Sequence, residues 1–139
     1  MENLLKKNLF AAVAALMLLN ALSCGTTKHS PENTSAWAGT YTGVIPSAGG
    51  EGINAIITLN TDKTYTVEYQ YIGKSDEVFT HTGTFNWNSE GDTIIMDSEK
   101  EGDFPSYYKL GENTLTQLDL TGNLITGEFA NDYVLKKQQ

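Results

Sequence analysis

The sequence predicts an all-β domain, in which about eight short antiparallel strands form a meander that closes into a small β-barrel. Three observations lead to this fold class. Apolar and polar residues alternate with a period of two from residue 37 onward, turn-forming stretches separate these segments, and no helical repeat follows the first 23 residues. Closure is expected because it removes the exposed edges of a sheet, and about eight strands enclose either a filled interior or one small ligand.

The first four strands show the alternation most clearly, because each places apolar residues on one face only. Four further strands are predicted at 92–97, 106–110, 114–120 and 129–136, and turn residues separate them at 88–91, 111–113 and 121–123. The inward faces of the first four strands are predicted to carry Trp37, Gly39, Tyr41 and Gly43; Ile53, Ala55, Ile57 and Leu59; Tyr65, Val67, Tyr69 and Tyr71; and Phe79, His81, Gly83, Phe85 and Trp87.

Residues 1–23 are predicted to be a lipoprotein signal peptide. Two lysines precede an apolar run from Leu9 to Leu19, which as a helix covers about 16 Å, roughly half of a hydrocarbon core of about 30 Å. The run therefore resembles the apolar part of a secretory signal rather than a membrane span. Ser23 and Cys24 follow it and resemble a bacterial lipobox, with Cys24 as the site of lipid attachment. The alternative is an ordinary signal peptide with a chance cysteine at its end.

Residues 24–36 are predicted to form the lipidated cysteine and a flexible tether, and residues 37–139 to form the barrel domain. The tether is polar and shows no periodicity. Gly25 stands where inner-membrane lipoproteins carry aspartate, so the resemblance implies the outer membrane. The periplasmic face is expected rather than the cell surface.

The net charge of the chain is −8, and the sequence contains no arginine. An acidic surface of this kind argues against nucleic acid and against anionic lipid headgroups as partners. Cys24 is the only cysteine, so a lipidated Cys24 leaves no thiol for a disulfide or a thiolate metal site. The expected partners are the membrane, through the covalent lipid, and an unidentified envelope protein.

The glycine-rich stretch VIPSAGGEGI at 44–53 is the first candidate for chemistry. No lysine follows its glycines and a strand comes after it, so it does not fit a phosphate-binding loop. Ser47 lacks the signature of an activated nucleophile and is interpreted as a turn residue. His81 is interpreted as a core or rim residue, and the acidic run at 97–103 as a solvated loop. No catalytic residue, cofactor or metal site is predicted.

The aromatic residues Tyr65, Tyr69, Phe85 and Trp87 allow two interpretations. Aromatic residues at a period of two are core material in most sheets. A small barrel that keeps an open interior would instead use them to line a ligand cavity, and the sequence leaves this alternative open.

Seven short segments stand in a specific order between Trp37 and Lys136: GTYTGVIP, EGI, TLN, TYTV, YIGK, GTFNW and LTQLD, at 39–46, 51–53, 58–60, 64–67, 71–74, 83–87 and 115–119. In this order they resemble the NlpE N-terminal domain family, outer-membrane lipoproteins linked to copper resistance and envelope stress. The resemblance implies a barrel of lipocalin-like type. The family usually carries Cys-x-x-Cys after the proline, whereas this chain has Ser47 and Gly50. Copper or redox sensing by this loop therefore does not carry over.

The predicted function is that of a lipid-anchored, non-enzymatic outer-membrane protein that acts in envelope homeostasis or stress signalling through protein contacts. The predicted contact surface is the loop that follows the first strand, because loops on a rigid sheet concentrate binding residues. One alternative is a carrier of a small apolar ligand, and another is a copper-binding protein, which the loss of both thiols disfavours. The residues of the predicted contact surface are Pro46, Ser47, Gly49, Gly50, Glu51 and Gly52.

Overall fold

The computed structural model describes residues 33–97 and 104–139, which form a closed antiparallel barrel. The predicted signal peptide, Cys24 and most of the predicted tether lie outside the described residues. The all-β fold class and the number of strands are confirmed. The strands are β1 (Gly39–Ile45), β2 (Ile53–Leu59), β3 (Thr64–Tyr71), β4 (Val78–Trp87), β5 (Thr93–Met96), β6 (Tyr107–Gly111), β7 (Thr114–Gln117) and β8 (Val134–Lys137).

Each strand pairs with its neighbour in sequence, and β8 closes the barrel by pairing with β1. β1 pairs with β2 over its whole length, from Gly39↔Leu59 to Ile45↔Ile53. The closing ladder is much shorter and consists of Tyr41↔Lys137 and Thr42↔Lys136. The hydrogen bonds of the barrel are therefore least extensive where its first and last strands meet.

The core of the barrel consists of the inward residues of the alternating pattern. Tyr41, Ala55, Ile57 and Val67 are fully buried, as the period of two predicts. Later strands complete this core with residues that include Ile94, Met96, Tyr108, Leu110, Leu115 and Leu135. Their burial removes apolar surface from water and is the main favourable contribution to folding.

A short helix, α1 (Thr34–Trp37), precedes β1 and closes one end of the barrel. The sequence reading, which found no helix after the leader and placed Trp37 on the first strand, was wrong on this point. The Tyr41 hydroxyl donates a hydrogen bond to the Trp37 carbonyl oxygen at 2.7 Å, and the Lys137 Nζ donates to the carbonyl oxygen of Ser35 at 3.0 Å. A single helical turn is too short to show periodicity, and tertiary contacts of this kind stabilise it.

The segment before β8 also differs from the prediction. A strand was expected over 129–136, whereas residues Ala130–Tyr133 form a 3-10 turn and the strand begins at Val134. The fifth and seventh strands are likewise shorter than predicted. In the part of the chain that the structure describes, no helix is long and apolar enough to cross a bilayer.

The longest connections between strands lie at one end of the barrel and the shortest at the other. At the end that α1 closes, the strands are joined by the tight turns 60–63, 88–92 and 112–113. At the opposite end, which we call the loop end, the connections are 46–52, 72–77 and 118–133, and residues 97 and 104–106 flank the segment between β5 and β6. The loop end is therefore where surface variation and binding are expected.

Candidate contact site at the loop end of the barrel

The loop 46–52 reverses the chain between β1 and β2 with the help of its glycines. Gly49 has φ 78° and Gly52 has φ 129°, a region that residues with a Cβ rarely adopt. A Cβ at Gly52 would also lie 2.7 Å from the Val44 Cγ1 atom. The loop is followed directly by β2, so it is a strand-to-strand turn without a helix to face an anion.

This loop forms one wall of a cavity of about 760 Å³ at the loop end. The other wall comes from the 118–133 connection, through Phe129, Asp132 and Tyr133. The lining combines apolar residues with the acidic residues Glu51 and Asp132, and the Lys74 Nζ lies nearby, 3.7 Å from the position of a Cβ at Gly50. The remaining lining residues are Val44, Ile45, Pro46, Ser47, Ala48, Gly50 and Gly52.

Five of the six residues predicted as the contact surface line this cavity, and Gly49 does not. Their use in binding stays a prediction. Sequence reasoning missed the opposite wall, since Phe129 and Asp132 are about eighty residues away in the chain and only barrel closure brings them close. One feature of the sequence could have indicated this wall: Phe129 is a large apolar residue that directly follows Gly127 and Glu128.

Ser47 and Gly50, which stand where the resembled family pattern usually carries two cysteines, are neighbours in space. A Cβ at Gly50 would lie 2.8 Å from the Ser47 Oγ atom and 3.2 Å from the Lys74 Cε atom. The Ser47 Oγ is buried and, among the described residues, has no hydrogen-bond partner. The loop therefore holds these two positions side by side although neither carries a thiol.

The large apolar side chains that remain exposed in the described residues all lie on strand ends or connections of the loop end. Tyr71 and Phe79 are among them. The sequence pattern placed both residues with the buried, inward-facing residues of β3 and β4, and this was wrong because both side chains are exposed. Their rings pack edge to face at 5.9 Å at the mouth of the barrel, beyond the reach of the core. The other exposed members are Val44, Val78, Leu120, Leu124 and Phe129.

The four residues predicted either to form the core or to line a cavity are Tyr65, Tyr69, Phe85 and Trp87. The first three are buried in the core, and Trp87 packs against it. A cavity of about 310 Å³ opens at the mouth of the barrel, and of the four only Tyr69 lines it, together with Tyr71, Phe79 and His81. Their role in holding a ligand stays a prediction.

The interior below the mouth is closed by aromatic contacts and one polar pair. Phe104, shortly before β6, packs its ring 4.6 Å from that of His81, centroid to centroid. The hydroxyls of Tyr69 and Tyr108 are 2.9 Å apart and share a hydrogen bond. Burial raises the pKa of Tyr69 to about 12 and also raises that of Tyr108, because a phenolate in an apolar interior loses its hydration.

Comparison with known proteins identifies the family. The sequence pattern of the NlpE N-terminal domain matches residues 41–128, more than half of the chain. The chain belongs to the NlpE N-terminal domain family. Among the described residues, no three His, Asp or Glu side chains converge as metal ligands would. The predicted loss of copper binding by the loop stays a prediction.

Three relatives show what the chain is similar to. Lipoprotein NlpE of Escherichia coli K12 is 27% identical over 143 residues, which cover 98% of this chain and 59% of that protein. A crystal structure from Shewanella oneidensis, described as that of a candidate lipoprotein, is 41% identical with a TM-score of 0.65 and covers 73% of this chain and 89% of its own. The crystal structure of the Cpx pathway activator NlpE from Escherichia coli is 29% identical with a TM-score of 0.54, and it covers 66% of this chain and 46% of its own.

Proposed function

We propose that this NlpE-family protein is anchored by lipid at Cys24 to the periplasmic face of the outer membrane. We further propose that its barrel acts in envelope stress signalling through contacts with an envelope protein and performs no catalysis. One structural relative is a Cpx pathway activator, and the chain spans about 59% of the curated relative that it matches. The observation that carries the proposal is the loop end, where the cavity and the exposed apolar side chains occur together.

The anchoring part is tested with the full chain expressed in bacteria that are fed a labelled fatty acid. The wild type is expected to incorporate label and to sediment with membranes, whereas Cys24→Ala loses both because no thiol remains to be acylated. Thr26→Ala, a change of similar size two residues away, serves as the control and keeps both. Unchanged labelling of Cys24→Ala would contradict the anchor.

The contact part is tested by cross-linking in intact cells followed by purification of the full chain from the envelope. The double variant Val44→Ser/Phe129→Ser removes two exposed apolar side chains at the loop end, and both are more than half exposed, so the fold is retained. It is expected to lose a cross-linked envelope protein and the activation of a Cpx reporter. The control Glu112→Ser lies in a tight turn at the opposite end and keeps both. Equal cross-linking by both variants would rule out the loop end.

A carrier role is the second candidate, favoured by the aromatic cavity at the mouth of the barrel. An apolar fluorescent dye is expected to bind there and to be displaced by a lipid extract from the same bacteria. Phe79→Ser should weaken dye binding because Phe79 lines the cavity, whereas Leu120→Ser should leave it unchanged. A barrel that takes up no dye contradicts the carrier role.

A further inference from the structure

The cavity of about 310 Å³ at the mouth of the barrel is lined by aromatic rings alone. Among the described residues, its lining consists of Tyr69, Tyr71, Phe79 and His81. The rings of Tyr71 and Phe79 are 5.9 Å apart with an angle of 86° between their planes, so they form two adjoining walls, and both are exposed to solvent. The cavity therefore has the form of an aromatic cage that opens at the surface.

The core next to this cage leaves no channel for a long apolar chain. Phe104 packs with its ring centroid 4.6 Å from that of His81 and 6.4 Å from that of Tyr69. The hydroxyls of Tyr69 and Tyr108 share a hydrogen bond at 2.9 Å, and both Phe104 and Tyr108 are buried. Small-molecule sites usually have volumes of about 300 to 1,000 Å³, so this cavity fits a compact head group.

The aromatic lining indicates the chemistry of that group. The face of an aromatic ring carries negative electrostatic potential and attracts a cation within about 6 Å of its centroid. A quaternary ammonium group suits such a lining because it is large and donates no hydrogen bond. The described lining contains neither a carboxylate that would pair with a primary ammonium group nor a lysine that would repel a cation.

The charges around the cavity are compatible with a cationic ligand. The neighbouring connection 72–77 carries Lys74 together with Asp76 and Glu77. The Lys74 Nζ lies toward the other loop, 3.7 Å from the position of a Cβ at Gly50, and Lys74 is not among the residues that line the cage. The net charge of −8 also favours the approach of a cation.

We propose that the mouth of the barrel binds a quaternary ammonium group through cation–π contacts with Tyr69, Tyr71 and Phe79. The group belongs either to a free solute or to the head group of a choline lipid, since both present the same trimethylammonium chemistry. The proposal rests on the carrier role, the second candidate function, because it names the class of ligand for the same cavity. It adds that the positive charge of the ligand, rather than its apolar area, provides the selectivity.

The test compares three small ligands by calorimetric titration of the full chain in micelles of an uncharged detergent. They are choline, the alcohol in which a tert-butyl group replaces the trimethylammonium group of choline, and ethanolamine. Choline is expected to bind about tenfold more tightly than either of the others. The tert-butyl alcohol has the same shape without the charge, and ethanolamine has the charge on a group that needs hydrogen-bond acceptors. Equal binding of choline and the tert-butyl alcohol would overturn the proposal.

The aromatic requirement is tested at Phe79, which is 41% exposed and can be changed without opening the core. Phe79→Leu keeps apolar bulk but removes a ring, so choline is expected to bind about threefold to tenfold more weakly. Phe79→Trp keeps a ring and should bind choline at least as tightly as the wild type. Phe129→Leu makes the same change at an exposed aromatic residue outside the cage and should have no effect. Equal choline binding by Phe79→Leu and Phe129→Leu would contradict the aromatic cage.

The charge requirement is tested at His81, which lines the cavity. His81→Lys places a fixed positive charge in the lining and should weaken choline binding about tenfold or more while sparing the tert-butyl alcohol. His81→Gln is the uncharged control and should bind choline much more tightly than His81→Lys. Circular dichroism of both variants checks the fold. Choline binding that is equally strong in the two variants would show that no cation enters the cage.

Glycerophosphocholine, the soluble head group of a choline lipid, distinguishes the two sources. If it binds at least as tightly as choline, the ligand is a lipid head group, and if it binds more weakly, the ligand is a free solute; both results support a quaternary ammonium site. The apolar dye separates this inference from the carrier role. If the dye binds but choline does not bind more tightly than the tert-butyl alcohol, the inference is wrong and the carrier role stands. If neither the dye nor choline binds, both are wrong.

Discussion

A Cβ atom at Gly50 would lie 2.8 Å from the Oγ of Ser47, so the loop keeps the positions of the family cysteine pair in direct contact. The double variant Ser47→Cys/Gly50→Cys is therefore expected to form a disulfide in an oxidising compartment. Mass spectrometry with thiol alkylation detects it as a species that is alkylated only after reduction. Gly50 lies outside the positive-φ region, so a side chain is tolerated there once the neighbouring side chains adjust.

The matched control for this variant is Ser47→Cys/Gly49→Cys. A Cβ at Gly49 meets nothing within 4 Å, and its φ of 78° disfavours a side chain. This pair should remain largely reduced under the same conditions. A control that oxidises as fully as the first pair would show that loop motion, rather than the geometry at Gly50, controls the reaction.

The loop is expected to bind Cu(I) only when it carries two thiols. Cu(I) prefers soft thiolate ligands, and the wild-type loop has a hydroxyl and a hydrogen where the family has two sulfurs. Titration of the Cys24→Ala chain with Cu(I) in competition with a chromophoric chelator is expected to show binding only after Ser47→Cys/Gly50→Cys is introduced. Submicromolar binding without those changes would contradict the loss of the copper site.

Ser47→Ala is expected to leave stability unchanged or to raise it by about 1 kcal/mol. The Ser47 Oγ is buried without a hydrogen-bond partner among the described residues, so its removal relieves a desolvation penalty. Ser75→Ala is the contrasting change, because the Ser75 Oγ accepts a hydrogen bond from the Glu77 amide at 2.9 Å. Urea unfolding followed by circular dichroism compares the two, and a clear loss of stability in Ser47→Ala would reveal a missing partner.

Trp37→Ala should destabilise the domain by about 3 to 5 kcal/mol, the range for truncating a large buried aromatic residue. Trp37 is 1% exposed, and its ring packs edge to face on Phe85 at 5.6 Å and on Trp87 at 5.7 Å. Leu120→Ala, at a position 80% exposed, should change the free energy of unfolding by less than about 0.5 kcal/mol. Urea unfolding measures both, and a small effect at Trp37 would show that α1 is not part of the folded unit.

The domain should lose stability in alkaline solution because buried tyrosines resist ionisation. Burial raises the pKa of Tyr41 and of Tyr69 to about 12, from an ordinary value of 10.0. The unfolded chain releases these protons first, so the stabilisation is fully present below pH 10 and is lost between about pH 10 and 12. Urea unfolding at a series of pH values measures the decline.

The double variant Tyr69→Phe/Tyr108→Phe should make this alkaline decline shallower, since it removes two groups whose folded-state pKa is raised. It also removes both partners of the shared hydrogen bond, so neither hydroxyl is left alone in the core. Tyr71→Phe changes an exposed ring and serves as the control. An alkaline decline of equal slope in the double variant would show that these two tyrosines do not cause it.

Local pattern was sufficient to predict most of the barrel. The alternation in INAIITL and TYTVEYQY predicted β2 and β3, because side chains of a strand point alternately to its two faces. It was insufficient at strand ends, since Tyr71 and Phe79 keep the inward phase but lie at the mouth, where the barrel has no opposite wall to cover them. Alternation indicates which face of the sheet a side chain lies on, but it does not indicate how deeply that side chain is buried in the barrel.

The sequence by itself determined which segments become strands, where glycine-rich reversals separate them, and that the loop at 46–52 lacks the family thiols. Only the tertiary structure decided that Ser47 lies against Gly50, that Trp37 closes one end from a helical turn, and that Phe129 and Asp132 face Glu51 across a cavity. The physical reason is the separation along the chain over which each kind of interaction acts. Strand and turn preferences act between near neighbours in the chain, whereas the site depends on closure of β8 onto β1, which brings together residues from opposite ends of the domain.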